Sequence, residues 1–411
     1  MTPHRILAAT AMVTLISVSG VALPYPILAP LFLDVAHPIS QFGNLPPKLL
    51  LGAILAIYPL GILMGSNVIG AWSDRLGRRP ILMWTMAGSA LGYALSAWAI
   101  YRGDFLLFAL SRLLTGLCEG NLSVARAIAS DLHPHIDRTR AFSLLSATTY
   151  AGYLIGPLIG GFLLPLGAPL AFMAASAACG IAVVLIAITL PADKPKQTDG
   201  VQAETHSLAL LRDPRIRTFF GLYLMLMLSV NGFYEFYPVW LVETRQFTSL
   251  DIAWATVLLT SSMIVVATLL NMKVKRRLGL AKAGLLGIGL FSVPLLLLPL
   301  SQGEYVLPFV LMGSGIALYN AMLPSYLAER GGSHGQGALM GLMATSFFLG
   351  NVLMAVVGSA LSLWDTRLVL SLSGLLGLVA AVQFAHHHFR RTTWPAPQAP
   401  IPPEKEIASG L

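Results

Sequence analysis

The chain has 411 residues, of which 56% are hydrophobic and only 11% are charged, whereas a water-soluble domain carries about a quarter charged residues. That balance excludes a soluble globular protein, and two cysteines, Cys118 and Cys179, both within apolar runs, exclude a disulfide framework or a zinc spacing. The formal net charge of +8 raises nucleic acid or anionic lipid as partners, but the excess is confined to alternate loops and marks one face of a membrane protein instead.

Apolar runs long enough to cross a hydrocarbon core of about 30 Å recur along the whole length and predict an all-α membrane protein of twelve transmembrane helices. Arg5 precedes the first run, 6–33, which is too long for the apolar part of a signal peptide and is interrupted by Pro24, Pro26 and Pro30. Further spans are predicted at 47–71, 80–100, 105–130, 141–164 and 168–190, and then at 218–242, 251–272, 281–300, 305–328, 338–362 and 368–388. Residues 1–190 thus form an N-terminal six-helix bundle and residues 218–388 a C-terminal one. The segment 191–217, polar and Pro-containing, reads as a flexible cytoplasmic linker ending in a short amphipathic helix. Residues 389–411, rich in proline, read as a disordered cytoplasmic tail.

With the N-terminus inside, the inner loops collect Arg75, Arg78, Arg79, Arg138, Arg140 and the cluster Lys273, Lys275, Arg276 and Arg277, while the outer loops hold only Lys48, Arg102, Arg245 and Arg367. This asymmetry places both termini in the cytoplasm, with the protein in the inner membrane. The halves also echo each other at a separation of about 200 residues: 140–160 aligns with 337–358, setting Gly152 opposite Gly350, and the loop 74–80 has a degraded counterpart at 275–281. Two pseudo-symmetric bundles with a site between them are the expected architecture.

Charges inside the apolar runs carry the chemistry. Arg112, Glu119 and Arg126 are spaced by seven in the fourth span, so on a continuous helix they share one stripe. Each intramembrane charge costs about 2.5–3.5 kcal/mol on insertion scales, so the stripe is expected to face an aqueous passage; a neutralised structural pair is the alternative for Glu119. The other deep acid is Glu235, within "NGFYEFYPVW" (231–240), with Asn231 one turn away and Phe233, Tyr234, Phe236, Tyr237 and Trp240 around it. Rings beside a carboxylate suit an amphipathic or cationic organic solute, and equally an aromatic belt at the membrane interface. Tyr58, Tyr319, Asn320 and Tyr326 are further lining candidates. The nine histidines show no metal-ligand spacing, no nucleophile–base constellation suggests an enzyme, and no G-x-x-x-x-G-K-[ST] loop supports ATP drive.

The loop "GAWSDRLGRRP" (70–80) resembles the G-x-x-x-D-R-x-G-R-R loop of the major facilitator superfamily, matched by Gly70, Asp74, Arg75, Gly77, Arg78 and Arg79. The resemblance implies a conformational latch in which Asp74 faces the N-terminus of the eleventh span and Arg78 pairs with Asp131. "GYLIGPLIGG" (152–161) resembles the G-x-x-x-G-P-x-x-G-G element of the superfamily's antiporters through Gly152, Gly156, Pro157, Gly160 and Gly161, with Ser143 where a further glycine is common. Arg112 with Gly116 resembles the family's R-x-x-x-G element of the fourth span. The whole chain is similar to the drug:proton antiporter group, tetracycline efflux proteins included, but the acids those proteins bury in spans one, three and nine have no counterpart in 15–30, 87–97 or 284–295.

The function so implied is a proton-coupled multidrug-type antiporter exporting a small amphipathic drug or secreted metabolite by alternating access, with Glu119 and Glu235 as proton carriers and Asn231, Tyr234, Tyr237, Tyr58, Tyr319 and Asn320 lining the cavity. It needs no cofactor beyond the proton gradient. Its partners are the solute, protons and the bilayer, with no nucleic acid and the chain acting as a monomer. The alternative is a proton-coupled uptake symporter for a small anionic nutrient, held by Arg112 and Arg126.

Overall fold

The computed structural model describes residues 2–191, 211–301, 303–330 and 336–389; most of the predicted linker and all of the predicted tail except residue 389 lie outside the described residues. Within them the secondary structure is helical, without strands, as hydrocarbon demands of a backbone that must satisfy its own hydrogen bonds.

The first span is two helices end to end, α1 (Pro3–Ala22) and α2 (Tyr25–Leu33). The break falls at Leu23–Pro24, where the prolines remove donors from the ladder; Ile27 and Leu28 restart it by donating to the Pro24 carbonyl, each at 2.9 Å. α3 (Pro47–Leu76) is stopped by Gly77, whose φ of 99° and ψ of 155° turn the chain directly into α4 (Arg78–Arg102). A left-handed Gly103 ends α4, and Asp104 caps α5 (Phe105–Leu117) by accepting from the Leu107 N–H at 3.0 Å. There follow α6 (Asn121–Asp131), α7 (Arg138–Leu163) and α8 (Ala168–Thr189). The second half comprises α9 (Pro214–Arg245), α10 (Ser249–Val265), α11 (Asn271–Leu297), α12 (Val306–Arg330), α13 (Gln336–Ser362) and α14 (Thr366–Phe389).

Among the described residues, ten segments are long and apolar enough to cross a membrane. One of them, Ser249–Leu300, runs 52 residues, far more than the roughly 20 a crossing needs, and it leaves helical geometry at Gly279 (φ 74°, ψ 171°). α4 is not among the ten. Its buried Thr85, Ser89 and Ser96 lower its hydropathy, yet it packs between α5 and α8, where Ser96 Oγ meets Ser111 Oγ at 2.7 Å. The twelve expected spans are thus matched in part: ten segments qualify, and the longest of them holds both α10 and α11. One boundary needs correction: the predicted loop between spans eight and nine is helical, because a five-residue π segment, Val266–Leu270, feeds straight into α11 and the bend waits until Gly279.

The glycines paired by the internal repeat do the same job in each half. A β-carbon on Gly152 would lie 2.8 Å from Val18 Cβ, and one on Gly350 would lie 3.1 Å from the Met227 carbonyl carbon. Gly152 therefore seats α7 against α1, and Gly350 seats α13 against α9.

α3 spans 30 residues, about 45 Å, with the basic loop at its C-terminal end. The opposite end, called the far end below, is where the two halves meet. There Gly52 lies under Ala355 and Ser359 of α13, and Lys48 pairs with Glu243 of α9 at 2.6 Å. α7 leaves the basic end beside Asp131 and arrives at the far end with Gly161 against Ser249 and Ala253 of α10; Ser249 Oγ donates to the Gly161 carbonyl at 3.2 Å.

Candidate functional site

The fourth span is not one helix. α5 ends at Leu117, α6 begins at Asn121, and Glu119 sits in the gap. α3 accounts for the glycines on either side: a β-carbon on Gly116 would lie 2.2 Å from the Tyr58 carbonyl oxygen, and one on Gly120 would lie 2.5 Å from Ile69 Cγ2. The break alters the predicted stripe, because seven-residue spacing aligns side chains only on an unbroken helix. Arg112 is 2% exposed, Glu119 is partly exposed, and Arg126 is exposed.

Glu119 Oε2 accepts from Ser17 Oγ of α1 at 3.0 Å. Ser17 Oγ in turn accepts from Asn121 Nδ2 at 3.3 Å, and Asn121 Oδ1 accepts from Thr85 Oγ1 of α4 at 2.5 Å. A polar chain thus ties α1, α4 and α6 to the carboxylate at the break. The sequence reading missed Ser17, Thr85 and Asn121. Their signal was only a neutral polar residue in an apolar run, which Thr14 shows equally while bonding nothing but the Thr10 carbonyl one turn back at 2.8 Å.

Arg112 lies in an aromatic cage. Its guanidinium carbon is 4.3 Å from the centre of the Tyr58 ring, 5.8 Å from Tyr93 and 6.0 Å from Phe172. Nε and Nη1 are buried without a hydrogen-bond partner, as are the Tyr58 and Tyr93 hydroxyls. A desolvated cation–π contact is worth about 2 kcal/mol, which offsets only part of the cost of burying the charge. Tyr93, absent from the sequence candidates, belongs to this cluster.

Glu235 is 4% exposed, and neither carboxylate oxygen has a hydrogen-bond partner. The surrounding rings pack mainly on one another. Phe233 and Tyr237 stack at 5.1 Å, and both stand edge-on to Phe309 at 5.5 and 5.4 Å. Tyr237 also shares a 2.6 Å hydrogen bond with Thr256 Oγ1, and Trp240 is 1% exposed. These rings form the core of the second half, neither an interfacial belt nor a free lining. Asn231 is likewise occupied: Nδ2 donates to the Met227 and Phe347 carbonyls at 2.9 and 3.0 Å, and Oδ1 accepts from Asn351 Nδ2 at 3.0 Å, clamping α9 to α13. Tyr319 is buried against Phe291, Tyr326 meets His388 Nδ1 at 2.9 Å, and Asn320 is exposed. Tyr234 is partly exposed, its hydroxyl 3.7 Å from Met263 Sδ.

At the basic end Arg78 is the hub. Nη1 meets Asp74 Oδ1 at 2.5 Å and donates to Ser73 Oγ at 2.8 Å, while Nε lies 3.4 Å from Asp131 Oδ2. Arg79 donates to the Ala187 carbonyl at 2.6 Å, and Arg75 is exposed. The partner implied for Asp74, the start of the eleventh span, adjoins residues 331–335, which lie outside the described residues. Exposed ion pairs contribute about 0.2–1 kcal/mol. A double-mutant cycle of Arg78→Gln and Asp131→Asn, read by thermal unfolding of purified protein, is expected to show coupling in that range. Coupling several times larger would mean the pair is shielded from water.

The antiporter-like element is a three-helix junction. A β-carbon on Gly156 would lie 2.4 Å from the Ser19 carbonyl oxygen, and one on Gly160 would lie 2.3 Å from that of Leu23, so both seat α1 with Gly152. Gly161 faces α10 instead, and Pro157 lies inside α7 between Gly156 and Gly160.

Three comparisons bear on this architecture. The sequence model of the Major Facilitator Superfamily matches residues 7–351. Tetracycline resistance protein, class E, of Escherichia coli is 29% identical over 187 residues, which cover 44% of this chain and 43% of that protein. Class H of Pasteurella multocida is 23% identical over 414 residues, covering 93% and 96%. The crystal structure of the human organic anion transporter MFSD10 (TETRAN) superposes with a TM-score of 0.66 at 20% identity, over 93% of this chain and 100% of that one. At such identity the structural likeness concerns the fold alone.

Proposed function

The chain belongs to the major facilitator superfamily, a family of membrane transporters and not of enzymes, and from that premise we propose that it is a proton-coupled antiporter that exports a small amphipathic organic compound. The observation that carries this reading is the carboxylate of Glu119, set in a helix break and held by a single hydroxyl from α1. As a carboxylate Glu119 accepts the Ser17 proton in a charge-assisted bond; once protonated it is neutral, keeps an acceptor oxygen for Ser17 and gains a donor of its own, so α1 is held less firmly. Loading and release of a proton thereby change how α1 sits on the broken fourth span. α1 also carries the backbone carbonyl that Gly156 of α7 packs against, which links the proton site to the helices expected to rock. Glu235, buried and without a hydrogen-bond partner, is a second titratable group on the other half.

The tetracycline resistance proteins named above support export, and the positive-inside loops support an inner-membrane location with both termini cytoplasmic. The proposed chain works as a monomer, with no cofactor other than the proton gradient. One observation favours a second reading. Arg112 is a buried cation whose Nε and Nη1 lack partners, a place for an anion, and an anion beside Glu119 binds best when Glu119 is protonated, which is the logic of symport.

Membrane vesicles of both orientations separate the two. Inside-out vesicles with an acidic lumen are expected to accumulate the lipophilic cation ethidium and to lose it when the gradient is collapsed. Accumulation of 2-naphthoate by right-side-out vesicles in acid medium, with no ethidium exchange, would establish the second reading in its place.

A further inference from the structure

Lys48 breaks two rules at once. It is one of only four cations in the predicted outer loops, and it stands at the second residue of α3, where positive charge opposes its own helix dipole. Its local setting therefore gives no reason for it. Its tertiary setting does. Nζ lies 2.6 Å from Glu243 Oε1 on α9, donates to the carbonyl of Ser362, the last residue of α13, at 2.6 Å, and donates to Thr366 Oγ1, the first residue of α14, at 3.3 Å. An ammonium has three protons, and here each has an acceptor on a different helix of the opposite half. The charge that α3 disfavours is aimed at a carboxylate and at the negative end of α13.

Behind this contact Gly52 lets α13 close in. A β-carbon there would lie 2.2 Å from Ser359 Cβ and 2.8 Å from the Ala355 carbonyl oxygen. A second seam between the halves, α7 on α10, has the same small-residue packing at Gly161 and a hydroxyl bond from Ser249, with no ion pair between these two helices among the described residues. Glycine packing brings two helices together but gives no group that must be exchanged for water when they part. Lys48 does: its side chain is 21% exposed and that of Glu243 34%, so water can reach both as the pair separates.

We propose that Lys48 is a charge latch for the far end. It holds the α3–α13 seam shut and must release Glu243 and the Ser362 carbonyl before that end can open. The proposal rests on the alternating-access reading above, and the experiment separates the two. In the full chain with Cys118→Ser and Cys179→Ser, spin labels go on Tyr101→Cys and Leu300→Cys, exposed positions near the far end of α4 and just beyond the far end of α11, and double electron–electron resonance gives the distance between halves.

Lys48→Met, which keeps the stem and removes the charge, is expected to raise the ratio of long to short distances about fivefold, the effect of losing a partly exposed ion pair of about 1 kcal/mol. Lys48→Arg is expected to leave the ratio near that of the parent. Glu243→Gln gives an independent reading of the same contact should Lys48→Met fail to fold. Distributions unchanged in both neutral variants would overturn the latch, as would a shift in Lys48→Arg as large as that in Lys48→Met. If the parent transports ethidium under a pH gradient but no variant shifts, the latch alone falls. If the variants shift as expected but the parent shows no proton-driven transport of either probe, the latch stands and the functional reading falls.

Discussion

Glu119→Gln is expected to abolish pH-driven accumulation of ethidium, by tenfold or more, while leaving ethidium–ethidium counterflow within about twofold of the parent. The amide oxygen can still accept from Ser17 Oγ, which now meets Glu119 at 3.0 Å, so α1 and the broken fourth span keep their contact. What is lost is the exchangeable proton. Loss of both activities would point instead to collapse of the polar chain through Asn121 and Thr85, and Asn121→Ala would then reproduce it. Retention of both would remove Glu119 from the transport cycle and leave Glu235 as the acid to test.

The second large effect belongs to packing. Gly156→Leu is expected to lower stability by more than about 3 kcal/mol, with a sharp fall in the yield of folded protein, because even its β-carbon would sit 2.4 Å from the Ser19 carbonyl oxygen. That obstacle is backbone, so no rotamer change relieves it; α1 itself must move, and Ser17 and the Glu119 contact move with it. Gly180→Ala, where nothing lies within 4 Å of the added carbon, should stay within about 0.5 kcal/mol of the parent. Thermal unfolding of the purified variants in one detergent compares them directly. Equal melting of Gly156→Leu and Gly180→Ala would show that the α1–α7 contact is looser than its geometry indicates.

The helices were legible because hydrocarbon leaves the chain almost no other choice, and the glycine echo between 152 and 350 was legible because close helix crossings accept nothing larger. The basic-end hub came from the family resemblance and not from periodicity: the resemblance implied an Arg78–Asp131 pair, and in the structure Arg78 lies beside Asp131 and also beside Asp74, for which a different partner was implied. The fourth span shows where the reading stops. Its periodicity assumes an unbroken helix, whereas the break at Glu119 adjoins two glycines packed against α3, a partner more than 40 residues earlier. Arg126 consequently lies on an exposed surface, and Arg112, seven residues before Glu119, is enclosed by Tyr58, Tyr93 and Phe172.

The rings around Glu235 fail as a lining for a different reason. Core and cavity aromatics have the same helical spacing, and only Phe291 and Phe309, brought in by α11 and α12, reveal which they are. Asn231 likewise declared a polar group but not its partners, which are backbone and an asparagine more than 100 residues away.

The central claim is that Glu119 exchanges its proton as the solute binds. The direct measurement is the pH change when ethidium is added to purified, weakly buffered protein, followed with a soluble indicator dye. Release of protons by the parent protein and its loss in Glu119→Gln, with ethidium binding retained, is the predicted result. Equal proton release from both proteins would contradict it.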